Sequence, residues 1–167
     1  MKRGLVLATI ASLVLAHTAS GGSTHRSAAP AFGPTFSTKV IALCKSALAE
    51  KKAEPPFPFP TFNPTKPDVS KLQAIGRYEA RGVQIFRTWV RGMLALGPPP
   101  RGRKQWVALL EPLSAHLRII IDQQAAALRR DGAAFTRDYY AGDKAQSEMV
   151  RASNAAGVPV CATAAGA

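Results

Sequence analysis

The sequence predicts an all-α domain, an up-down-up-down four-helix bundle closed by one disulfide. Three observations lead there. Four stretches carry apolar residues at helical spacing, and none alternates β-branched with polar residues as a half-buried strand would. Aromatic residues are only 7% of the 167 while Ala is abundant, a composition that suits close-packed helices. The chain has two cysteines, Cys44 in the first helical stretch and Cys161 after the last. With 47% apolar residues, one domain of ordinary size can bury a core.

Met1–Ser20 reads as a secretory signal. Lys2 and Arg3 precede an uncharged apolar run, Gly4–Ala16, and Thr18, Ala19 and Ser20 are small enough for cleavage. The run is short for a membrane span, though an uncleaved anchor is an alternative. Export places the chain in an oxidising compartment, where Cys44 and Cys161 are most simply bridged. Free thiols and an intermolecular bridge are the alternatives. Residues 21–36, rich in Gly, Ser, Ala and Pro, read as a flexible spacer in which His25 is solvated.

The first helix is expected over Ser37–Ala53, capped by Ser37 or Thr38, with Val40, Cys44, Ala47 and Leu48 on its apolar side. Glu54–Asp68 holds six prolines and should run extended. Its rings, Phe57, Phe59 and Phe62, either cover one end of the bundle or present a Pro-rich ligand to a partner.

The second helix starts at Asp68 or Ser70, where Ser70 and Gln73 fit a capping box. It ends before Gly97-Pro98-Pro99-Pro100. Leu72, Ile75, Phe86, Val90 and Met93 share its apolar side, and Arg77, Arg81, Arg87 and Arg91 gather opposite. Of its glycines, Gly82 falls on the apolar face and is the expected point of close approach.

The third helix, Gln105–Arg130, has the cleanest stripe: Trp106, Leu110, Leu113, Leu117 and Ile120. Pro112 should kink it without ending it, since the stripe keeps its phase across the proline. Asp131-Gly132 turns the chain into a fourth helix, Ala133–Ala156, striped by Phe135, Tyr139, Met149, Val150 and Ala156. Gly157, Val158 and Pro159 make a helix stop, and residues 162–167 are expected to be a disordered tail. The bundle domain is therefore expected over 37–161.

Short turns make helices two and three antiparallel, and likewise three and four. An antiparallel first helix then brings Cys44 to the end where Cys161 emerges. With the turns centred near Pro98 and Asp131, Glu79, His116 and Gln146 fall in one layer of the core. A buried carboxyl there needs partners or stays protonated. The cluster is either structural, setting helix register, or the lining of a pocket for a small ligand such as haem, with Met93, Met149 or Tyr139 as distant second haem ligands.

The formal charge is +12, or +10 once Lys2 and Arg3 leave with the signal. Such a surface attracts polyanions or merely keeps the chain soluble. There is no nucleophile elbow, no phosphate-binding Gly loop and no metal-ligand set. Glu79 reads as the single inward-facing acid. The expectation is a non-enzymatic binding or interaction module, secreted or in the cell envelope, with no cofactor, no metal, no specific nucleic-acid partner and no membrane span after cleavage. Its partner is a polyanionic envelope component or another envelope protein, met through Arg77, Arg81, Arg87 and Arg91. The alternative is a small-ligand carrier.

Overall fold

The structure, a computed structural model, describes residues 31–166. The expected signal peptide, His25 and most of the expected spacer lie outside them. The described chain is all-helical, with five helices and no strand: α1 (Pro34–Lys52), α2 (Val69–Ala95), α3 (Arg103–Leu128), α4 (Gly132–Ala155) and α5 (Pro159–Ala165). No helix among the described residues is long and apolar enough to cross a membrane.

Each long helix packs against its neighbour in sequence. Leu43 of α1 lies against Gly92 of α2, while Lys51, two turns on, lies over the Phe86 ring. Gly76 near the start of α2 meets Leu128 at the end of α3. His116 of α3 bonds the Gly142 carbonyl of α4. α5 then packs between α4 and α1, completing a ring of helix neighbours.

The cysteines are bridged: Cys44 of α1 to Cys161 of α5, with Cα atoms 4.9 Å apart. Both are buried in the main apolar cluster with Val40, Met93, Trp106, Leu113 and Met149. A second cluster, Leu72, Ile75, Ala126, Ala127 and Phe135, occupies the opposite end.

Both ends of the described domain depart from expectation. The spacer does not reach residue 36. Pro34 opens α1, as suits a residue without an N–H, and Phe32 just before it is 1% exposed. Phe32 meets the Trp106 ring edge-on at 5.7 Å, and the Ala31 N–H donates to the Ala156 carbonyl. Ser37 and Thr38 are therefore inside the helix, donating to the Phe32 and Pro34 carbonyls instead of capping. The segment crosses Gly102 so closely that a Cβ there would lie 2.5 Å from the Ala31 oxygen, and Gly102 also takes a left-handed φ of 74°. At the other end residues 162–165 are not a disordered tail. They belong to α5, and Ala162, Ala164 and Ala165 are buried. Ala side chains are small enough to seat a short helix tightly between two longer ones.

Pro112 sits inside a continuous α3, as its uninterrupted stripe implies. The stripe itself is rotated: Trp106, Leu109, Leu113 and His116 are the buried line, while Leu110 and Leu117 flank it. Asp68 caps α2, accepting from both the N–H and the hydroxyl of Ser70, so Ser70 and Gln73 form no capping box. α4 ends as its Gly157-Val158 pair predicts, with Gly157 at φ 71° and Val158 N–H returning to the Ser153 carbonyl. α3 ends in the same hydrogen-bond pattern with Arg130, not a glycine, at φ 60°.

The Pro-rich segment covers the second cluster. Tyr78 donates to the Pro55 carbonyl and Thr136 to that of Pro64. Phe57 packs edge-on against Tyr78, and Phe62 against Phe135. Its rings cap one end of the helices.

Candidate functional site

The two apolar clusters are separated by a polar layer, and Glu79 of α2 is its central acid. Gln123 of α3 donates from Nε2 to Glu79 Oε1 at 3.2 Å. The other oxygen, Oε2, is sealed from solvent without a hydrogen-bond partner. Burial pushes this carboxyl up to about 7, and the Gln123 bond only partly opposes that shift.

Glu79 and Gln123 together line two cavities. One, of about 200 Å³, is walled by Glu54, Tyr78, Gly82, Val83, Phe86 and Ile120. The other, of about 220 Å³, lies under the Pro-rich segment among Phe57, Phe62, Pro64, Ile75, Phe135 and Tyr139. Apolar walls with a few convergent polar groups are the usual make-up of a small-ligand site.

The expected convergence of Glu79, His116 and Gln146 is only indirect. His116 and Gln146 share a third, more polar cavity with Tyr139, Gly142 and Asp143, and Gln123 reaches that cavity too. Gln123 is thus the common member, and Glu79 is hydrogen-bonded to it and not to His116 or Gln146. His116 donates through Nδ1 to the Gly142 carbonyl at 3.1 Å. Its ring centroid lies 4.8 Å from that of Phe86. Burial lowers its pKa, outweighing the Gly142 bond, so it is held neutral. Gln146 turns toward the C-terminus and donates to the Gly166 carbonyl.

The reason for the change of partner is register. Glu79–Gln123 and Gly76–Leu128 pair across a turn centred at residues 101–102, not at Pro98. The connection through Gly97–Gly102 lengthens the α2 side of the hairpin, so residues beyond Leu117 face Glu79. Gln123 continues the spacing of His116 and Ile120, and that spacing is the signal that would have found it. Gly82 is likewise not the point of close approach. A Cβ there would meet only Glu54 Oε1 at 3.4 Å, whereas Gly76 and Gly92 face Leu128 and Leu43 below 3.0 Å.

Glu79 is also not the single inward-facing acid. Asp138 of α4 is buried, held through Oδ1 by Arg137 at 2.7 Å, with Oδ2 unpartnered. It shares the 3–4 spacing of Phe135, Gly142 and Ala145.

Arg77, Arg81, Arg87 and Arg91 are all exposed, as their placement opposite the apolar side requires. None takes part in an ion pair among the described residues. A wide groove of about 610 Å³ runs along α3 and α4 beside Pro112, lined by Glu111, Arg118, Glu148 and Arg151. It is open, its charges balance, and it contains no buried polar group. Among the described residues no three His, Cys, Asp or Glu side chains come together to hold a metal ion. Of the distant second haem ligands, Met93 and Met149 are fully buried in the main cluster, while Tyr139 lines the same polar cavity as His116.

No protein-family model, curated protein or solved structure matches the chain.

Proposed function

We propose that this is an exported, non-enzymatic binding protein that takes a small, mainly apolar ligand into the cleft at Glu79 and Gln123. The single observation that carries the reading is Glu79 itself: a carboxyl oxygen sealed from water and left without a partner beside an apolar cavity. An unpaired buried oxygen costs stability, and a ligand offering a donor would recover it. Export to the envelope or the extracellular space is supported by the signal-like start and by a disulfide, which persists in oxidising compartments. The finer architecture is an up-down-up-down bundle of α1–α4 with α5 wedged between its first and last helices. It is supported by contacts that run in opposite directions along α1 and α2, Leu43–Gly92 and Lys51–Phe86, and along α2 and α3, Gly76–Leu128 and Glu79–Gln123.

The test is a fragment screen read by NMR. Small aromatic fragments should shift the Gln123 side-chain amide and the Ile120 methyl signals. A cleft filled by Gly82→Leu should abolish those shifts. Fragments that bind elsewhere, or none that bind, would end the reading.

A second reading, a polyanionic envelope partner on Arg77, Arg81, Arg87 and Arg91, is favoured by their exposure and lack of ion pairs. Polyanion retention should then weaken steeply with salt and disappear in Arg81→Glu/Arg87→Glu. Retention indifferent to salt would sink it.

A further inference from the structure

This inference rests on the cleft being a ligand site and names the class of ligand. We propose that the cleft takes an organic cation: an ammonium group carried on an aromatic or aliphatic body, seated on the Glu79 and Glu54 carboxyls.

The first argument is charge. The chain has 22 Lys and Arg against 10 acids, yet the cleft is lined by two carboxyls and no basic side chain. Among the described residues the ion pairs are Lys71–Asp68 and Arg137–Asp138, so neither Glu54 nor Glu79 is in a salt bridge, and only Glu54 has a base, Lys51, near enough for the charges to attract. Glu54 Oε1 overhangs Gly82, 3.4 Å from where a Cβ would sit. A larger side chain at 82 would fill that space.

The second argument is the state of Glu79. Ionised, it is a buried charge with one hydrogen bond and no cation. A neutral ligand leaves that charge uncompensated, and an anionic ligand adds repulsion from two carboxyls. A cation compensates it, where otherwise only a proton would. The third argument is shape. A cavity of roughly 150 Å³ holds benzene, so about 200 Å³ between Tyr78, Val83, Phe86 and Ile120 accepts a ring with a short chain.

The groups facing Glu79 come from every surrounding element. They are Glu54 from the segment after α1, Tyr78 on α2, the neutral Gln123 on α3 and Tyr139 on α4. Lys51 is the nearest base, but its Nζ is held by the Ala164 carbonyl at 3.1 Å, over the Phe86 ring. His116 lies beyond Gln123 and is held neutral. An ammonium entering the cleft would therefore displace the Glu79 proton, and binding below neutral pH would release it.

The experiment is calorimetry on the full disulfide-bonded chain with phenethylamine, phenethyl alcohol and phenylacetate as probes. At pH 8 the amine should bind at least about tenfold tighter than the alcohol, and phenylacetate should not bind. Glu79→Gln should bring amine and alcohol to within about threefold of each other, while its circular dichroism stays that of the parent. At pH 6 the amine's binding heat should change with the buffer's ionisation enthalpy, reporting the released proton. Alcohol and amine binding alike to the parent protein would overturn the cation and leave the cleft standing. No binding by any probe, with no shift at Gln123, would overturn both.

Discussion

The two ends of the molecule are built differently. At the Cys44 end, α1, the end of α2, the start of α3, the end of α4 and α5 close on one large cluster, stapled by the disulfide and sealed by Phe32. At the other end the cluster has five fully buried members and a proline-rich roof whose Phe57 is 36% exposed. Glu79 lies between them: one of its cavities opens under the roof beside Ile75 and Phe135, the other against Phe86 and Ile120 at the edge of the larger cluster. The thin core under a non-helical roof is where local opening costs least.

The comparison can be broken most forcefully at the clamp. The bridge spans 117 residues of sequence, so replacing both cysteines by Ala should cost about 4–5 kcal/mol by loop entropy. Urea melts of oxidised and Cys44→Ala/Cys161→Ala protein measure it, and coincident midpoints would show that the stapled end owes nothing to its staple. Next come the rings. Phe32→Ala should cost about 3–5 kcal/mol, because it empties a fully buried site. Phe62→Ala, half-buried under the roof, should cost about 1–2 kcal/mol. Equal losses would erase the distinction between the ends.

The polar layer between them predicts a pH signature. Folded Glu79 keeps its proton up to about pH 7, while the unfolded chain releases it near 4.5. In that window the folded state binds more protons, so stability falls as pH rises, by on the order of 3 kcal/mol in full. His116 acts oppositely. Its folded pKa lies below 6.5, so the unfolded chain binds the proton first, and stability falls as pH drops through that region. The two slopes offset each other in the parent protein. The difference between parent and Glu79→Gln stability, followed from pH 4 to 8, isolates the carboxyl; a flat difference would remove Glu79 from the buried layer.

The smallest expected effects separate two glycines. At Gly92 an added Cβ meets only the mobile end of Leu43, so Gly92→Ala should be neutral or stabilise by up to about 1 kcal/mol. At Gly76 it meets the Leu128 backbone nitrogen at 3.0 Å, so Gly76→Ala should destabilise by about 1 kcal/mol. Thermal melts of the two variants that ranked the other way would mean that the α2–α3 approach is looser than described.

Much of this was legible from residue order because it depends on neighbours in sequence. The helix-stopping Gly157-Val158-Pro159, the continuous α3 through Pro112 and the exposed arginines each follow from spacing within one turn or one helix. The candidate site was legible only in outline. Glu79 stood out as an acid on an apolar face, and two cysteines implied the bridge that is present. Its partner, Gln123, was legible only as a position on the spacing of His116 and Ile120; that it meets Glu79 depends on where the seven-residue connection centres the hairpin, and moving that centre from Pro98 to residue 101 moves the facing position from Leu117 to Gln123.

What the sequence determined by itself is therefore the helical repertoire: four amphipathic stretches, their stops, a proline-rich break and one pair of cysteines. Only the tertiary structure decided three further things. It drew Phe32 into the core, because an apolar ring beside a gap left by Gly102 and Trp106 is worth more buried than solvated. It made a helix of an Ala-rich tail, because a short helix is marginal alone and is held once packed and cross-linked. And it chose Gln123 for Glu79, because side chains that meet across helices are selected by register, a property of the pair and not of either strand of sequence.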